Sequence, residues 1–202
     1  MKGSRRTKIA IDTNIWISAY KKEKSRETKV CKELIEKITN FTTQQMFNIV
    51  ILLPKILELE LLEELIKDAK SVKYIKKYET TFDIRGIDRK EVLREIKLSK
   101  KEIEKKEKFL KGLEASGIVE IKDCKIAIKK VENLVKSGIE LKDALILVQS
   151  NCLEIDYFVT RDGDILGLAS KKPKWLKFKI VKPRTMIEIL SKETKKITKS
   201  QP

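Results

Sequence analysis

Four carboxylates in this chain sit where an acid is costly. Asp12 ends the run "KIAID", Glu60 interrupts "ILELELL", Asp143 opens "DALILV", and Asp162 follows "YFVTR", with Asp164 two residues on. Burying several such groups together is expensive unless a cation neutralises them. The sequence contains no histidine. That excludes His-based triads and His metal ligands and leaves carboxylates, lysines, hydroxyls or a metal for any proton transfer. Oxygen-only donors select Mg2+ or Mn2+ over zinc. A hard cation held there binds a phosphodiester oxygen and lowers the pKa of a bound water aimed at phosphorus.

For these acids to meet, the chain must bring them to one place. "KIAI" (8–11) and "FNIVILL" (47–53) read as buried strands, and "GIVEIK" (117–122), "YFVT" (157–160) and "FKIVK" (178–182) as three more. Helical patterns lie between them: "DTNIWISAY", 25–38, a helix after Pro54 running to about Tyr78, one ending near Gly138, "ELKDALILVQSNC" (140–152), and "RTMIEIL" after Pro183. Alternating strands and helices predict a three-layer α/β/α sandwich with a mainly parallel sheet of roughly five strands. Ligands in such sheets bind outside the carboxyl ends of the strands. Asp12 and Asp162 fall at that edge, Glu60 within two turns of the second strand, and Asp143 at the start of the helix feeding the fourth.

Each acid alone has a simpler reading. Asp12 caps a helix at "DTN". Glu60 competes with Glu58, Glu63 and Glu64 on a solvated helix face, Asp143 is a first-turn acid, and Asp162 and Asp164 are turn residues beside Gly163. Four acids in the right topological places favour the shared pocket.

Charge points to the partner. With 46 Lys+Arg against 30 Asp+Glu, the formal net charge is +16, which suits a polyanion such as a phosphate backbone. Lysine- and glutamate-rich surfaces also arise as ion-pair features of thermophilic proteins. The segment 70–115 reads as a basic helical insertion. Asp88 and Glu91 suggest a capping box for a helix through about Leu113, which would project from the body as a hairpin with the helix before it. From Ser191 the chain (191–202) reads as a loose basic tail, leaving one domain over 1–190. The three cysteines are odd in number and scattered, with no CxxC, so they read as buried free thiols in a reducing compartment. No apolar stretch is uninterrupted enough to span a bilayer, and the basic start meets an acid before any signal-like region. The expectation is a soluble, cytoplasmic protein.

Taken together, "IAIDTNIWI", "LLPKILELELL", "LKDALILVQSNCLEIDYFVTRDGDIL" and "KIVKPRTMIEIL" resemble the blocks of the PIN-domain family of metal-dependent ribonucleases. The resemblance implies that Asp12, Glu60, Asp143 and Asp162 hold Mg2+ or Mn2+, with Asp164 an auxiliary ligand through water. It implies that Asn14 and Thr160 orient carboxylates or the attacking water. The activity it implies is endonucleolytic hydrolysis of RNA. Partners would then be RNA, a second copy of the chain as in many members, and either an antitoxin or an RNA-processing protein. The length and the 70–115 insertion exceed the compact toxin pattern and lean toward RNA processing or degradation. Arg161, Lys142, Lys105, Lys106 and Trp175 are candidate RNA contacts. Two rivals remain: a non-catalytic RNA-binding or assembly module on the same fold, and a receiver-like domain. The latter wants paired acids after its first strand, where "IAIDTN" has one.

Overall fold

The computed structural model describes residues 6–20, 25–43, 49–78, 94 and 96–199. Five strands form one all-parallel sheet: β1 (Thr7–Ile11), β2 (Ile49–Pro54), β3 (Val119–Lys122), β4 (Tyr157–Val159) and β5 (Lys179–Val181), in the order β3-β2-β1-β4-β5. Parallel neighbours need long crossovers, and the described helices supply them: α1 (Thr13–Tyr20), α2 (Arg26–Thr43), α3 (Lys55–Tyr78), α4 (Lys100–Ala115), α5 (Ile128–Lys136), α6 (Leu141–Cys152), α7 (Gly163–Leu168) and α8 (Pro183–Lys199). The three-layer α/β/α expectation holds.

The apolar, β-branched runs become strands because both faces of this sheet are covered. Ile9, Ala10 and Ile11 of the central strand are fully buried, and every residue of β2 is buried. The chain fills one side of β1 with β2 and β3, then crosses to the other side for β4 and β5. The reversal falls between β1 and β4, the place where a crevice forms outside the carboxyl ends of such a sheet. Ile9 is in register with Tyr157, and Ile11 with Val159, so residues just past Ile11 and Val159 emerge side by side.

Several local readings change. Ile96–Ser99 are not helical, so no continuous helix runs from 88 to 113. Helix α4 starts after Ser99, whose side chain accepts from the Glu102 N–H while the Glu102 carboxylate accepts from the Ser99 N–H, a complete capping box. The Asp88–Glu91 signal lies outside the described residues. Nor does α4 project. Leu110 is buried in the main core, Phe109 meets Tyr20 edge-on at 4.9 Å, and Lys73 of α3 donates to Glu102 at 3.1 Å. Asp123 does not cap α5, which has no side-chain cap, although Gly138 ends it at φ 94°. Helix α8 continues through Lys199, because no Gly or Pro interrupts "SKETKKITK", so 191–199 is helical backbone and not a loose tail.

The cysteine reading is also corrected. Cys124 and Cys152 form a disulfide across 28 residues, and Cys31 alone is free and buried. Packing brings the end of α6 beside the segment before α5, with the two Cα atoms 6.4 Å apart. Free thiols thus no longer argue for a reducing compartment. Among the described residues no helix is long and apolar enough to cross a membrane.

One buried polar side chain ties three of these pieces together. Gln149 of α6, 1% exposed, accepts from the Ile56 N–H at the start of α3 (3.1 Å) and donates to Asp123 (2.6 Å). It fixes where α3 leaves β2, and so where Glu60 stands. Replacing Gln149 with Leu, similar in volume but unable to bond, is expected to cost about 1–3 kcal/mol. A urea titration should show a lower midpoint at unchanged slope; an unchanged midpoint would contradict this role.

Candidate functional site

The first acid is placed by the sheet itself. The Asp12 N–H extends the ladder to Val159 O at 2.9 Å, and the Thr160 N–H does the same to Val181 O at 3.0 Å. Asp12 and Thr160 thus leave adjacent strands at matching height. Thr160, fully buried, donates its hydroxyl to Asp12 Oδ2, and Asn14 Nδ2 donates to the same oxygen at 2.8 Å. The Thr160 hydroxyl in turn accepts from the Asp162 N–H at 2.9 Å. One threonine therefore orders both acids.

Glu60 reaches the site from the second turn of α3. Its Oε2 accepts from the Thr13 hydroxyl at 2.6 Å, and its Oε1 pairs with Lys142 Nζ at 2.9 Å. Asp143, in the first turn of α6, lines the same pocket. Asp162 caps α7, accepting from the N–H groups of Asp164 (2.8 Å) and Ile165 (3.1 Å). The four acids surround a pocket of about 400 Å³, which Glu64 and Arg161 also line.

Electrostatics confirm that the acids feel one another. Burial pushes the Asp12 carboxyl up to about 6 against the opposing pull of the Thr160 hydrogen bond, and Glu60 and Asp162 add to the rise. Burial likewise pushes Asp143 up to about 6, with Asp162, Asp12 and Glu60 contributing repulsion. Charge repulsion and burial both disfavour the ionised forms. Asn14 Oδ1, on the pocket wall, is buried without a hydrogen-bond donor, a further sign that the pocket wants something positive or protic.

The donor set suits a hard cation in chemistry: carboxylates, an amide oxygen and hydroxyls. The spacing is another matter. Among the described residues no three acidic, cysteine or histidine side chains converge closely enough to hold one ion. Three of the four acids are instead satisfied locally: Asp12 by Asn14 and Thr160, Glu60 by Thr13 and Lys142, Asp162 by the α7 amides.

The remaining candidates scatter. Asp164 is exposed and does not line the pocket, because capping by Asp162 places it in the outer first turn of α7. Arg161 sits at the rim but is engaged by Ser18 (3.0 Å) and Glu27. Lys142 is at the site as the partner of Glu60 and Glu63. Lys105 and Lys106 lie on α4 and Trp175 lies near the opposite sheet edge; none of the three lines the pocket. Sequence reading missed Thr13, although it stands between the two residues chosen from "DTN". It also missed Glu64, and Gln149, a lone amide in the apolar run "ALILVQ".

No family model and no curated protein matches the sequence. The crystal structure of PAE2754 from Pyrobaculum aerophilum aligns over 95% of this chain and 94% of that one, at 11% identity and a TM-score of 0.46. So distant a likeness transfers no function, and the account rests on this chain's own geometry.

The raised carboxyls give a signed pH dependence. Asp12 ionises near 3.8 when unfolded and near 6 when folded. Between those values the folded state binds more protons, so stability is greatest below the lower value and falls as pH rises through the window. In EDTA, Asp12→Asn should therefore be more stable than wild type at pH 7.5 by about 1–3 kcal/mol. The gap should close by pH 4. Thermal melts at the two pH values decide it; a wild type more stable than the variant at pH 7.5 would contradict the repulsion.

Proposed function

We propose that the protein is a metal-dependent endoribonuclease of the PIN-domain kind, acting in RNA processing or degradation. The observation that carries this is the convergence of Asp12, Glu60, Asp143 and Asp162, far apart in sequence, on one pocket at the carboxyl edge and reversal point of a parallel sheet. Such acids serve structure poorly. Together they raise one another's proton affinity, which is costly in a folded protein unless a ligand repays it.

Asp12, Glu60, Asp143 and Asp162 would have to draw closer than they stand here, with Glu60 released from Lys142, to hold Mg2+ or Mn2+. The ion would then supply a water acidic enough to act as nucleophile and charge to stabilise the transition state. The chain's own groups do the rest. Thr160 and Asn14 fix the Asp12 carboxylate, and Thr13 fixes Glu60, so the acidic face is set before substrate arrives. Lys142 neutralises Glu60 and Glu63, and a phosphate can compete with them for it. Arg161 adds positive charge at the rim, and the net +16 draws the polyanion in.

A second reading, a non-catalytic RNA-binding or assembly module, is favoured by one observation: as they stand, three of the four acids have local partners, and among the described residues no three acids converge on one ion. A toxin of a toxin–antitoxin pair is a variant of the enzymatic reading, and it predicts growth arrest on expression, relieved by Asp12→Asn.

The test is cleavage of labelled single-stranded and structured RNAs in Mg2+, Mn2+ or EDTA. Wild type should cut only with metal. Asp12→Asn and Asp143→Asn should each lower the cleavage rate at least ~100-fold and leave RNA binding within a few-fold. Metal-independent cutting, or cutting that survives both substitutions, would overturn the proposal.

A further inference from the structure

At the amino-terminal edge of the sheet, opposite the acids, lies a groove of about 970 Å³. It is formed where β1, β4 and β5 begin and where α6 ends beside the segment leading into α5. Arg6, Lys8, Lys125, Lys130, Lys177 and Lys179 line it, against two acids, Glu154 and Asp156. Arg6 is paired with Glu120 at 2.5 Å, and Lys8 lies 4.0 Å from Glu154. The Asp156 carboxylate accepts from the Lys8 backbone N–H at 2.9 Å.

The other four lysines have a different setting. Among the described residues, Lys125, Lys130, Lys177 and Lys179 form no ion pair. Lys130 lies 5.1 Å over the Trp175 ring and Lys179 5.9 Å over the Tyr157 ring. Four like charges gathered in one concavity repel, and the concave wall focuses their field outward. On α4, by contrast, lysines alternate with glutamates, as in the Lys100–Glu104 pair. The groove thus concentrates part of the net charge at one place.

We propose that this groove binds single-stranded nucleic acid, its phosphates on Lys125, Lys130, Lys177 and Lys179 and its bases against Trp175 and Tyr157. Cations interleaved with aromatic rings are what a flexible strand needs, since every base has a face to stack and every nucleotide a charge. A flat anionic bilayer cannot enter a concavity. An acidic peptide would use the lysines and leave the rings without a role. The five residues of β1 span roughly 17 Å, so the groove and the acidic pocket are separate places on the surface. The groove is an anchor for a strand and stands whether or not the acids cut RNA.

The test is fluorescence anisotropy of a 5′-labelled twelve-nucleotide oligouridylate with the full chain in EDTA, where metal-dependent cutting is suppressed. The triple variant Lys125→Glu, Lys177→Glu, Lys179→Glu is compared with Lys29→Glu, Lys136→Glu, Lys192→Glu. The second set makes the same charge change at exposed lysines outside the groove. The groove variant should bind at least ~10-fold more weakly, with the salt slope reduced by about 2, at roughly 0.7 per lost contact. The control should lose no more than about 3-fold. Of the two tryptophans, Trp16 is buried, so quenching of wild-type fluorescence on titration should vanish in Trp175→Phe. Equal losses in both triple variants, binding without quenching, or equal competition by oligoglutamate of the same charge would overturn the proposal.

Discussion

Asp12 and its fellow acids repel one another in a partly dry pocket, and much of this structure works to hold them there. A carboxylate that has lost water and gained like-charged neighbours is driven to take up a proton or to find a cation. Asp12 and Asp143 show this drive, each pushed up to about 6. The protein tolerates the strain through a ring of neutral and positive partners: the Thr160 and Thr13 hydroxyls, the Asn14 amide, the α7 amides and Lys142. The same partners make the pocket adjustable, since Lys142 can exchange one negative partner for another.

The sheet supplies the rigid part of this arrangement. A parallel strand pair at the reversal point leaves two chain ends side by side with no connection covering them. The ladder runs one residue beyond the strands, through the Asp12 and Thr160 N–H groups. The two helix-borne acids are positioned by packing. Helices α3 and α6 carry Glu60 and Asp143, and the buried Gln149 amide joins the start of α3 to α6 and to Asp123. Charge is also sorted across the molecule. The acids collect at the carboxyl edge, and a lysine-lined groove with two aromatic rings forms at the other.

The strands were legible in the sequence because a doubly covered parallel strand must be apolar throughout, as "KIAI" and "IVILL" are. The acids were legible for the complementary reason, since carboxylates beside such runs contradict their surroundings. Other features turned on tertiary position. Nothing in the spacing of Cys124 and Cys152 says that α6 ends beside the segment before α5. Thr13 is an ordinary helix-start residue until α3 brings Glu60 within 2.6 Å. Asp164 read like Asp162, but capping of α7 by one turns the other outward. The start of α4 was written plainly in "SKKE", a capping box that the more distant Asp88–Glu91 pair obscured.

The most direct test of the central claim is calorimetric titration of Mn2+ into the full chain and into Asp12→Asn at pH 6 and 7.5. If the acids form one cation site, wild type binds Mn2+ at both pH values and releases protons at pH 6, where Asp12 and Asp143 are partly protonated, and Asp12→Asn binds at least ~10-fold more weakly. Absence of binding, or binding that is indifferent to Asp12 and releases no protons, would mean that the four carboxylates do not act together on a metal.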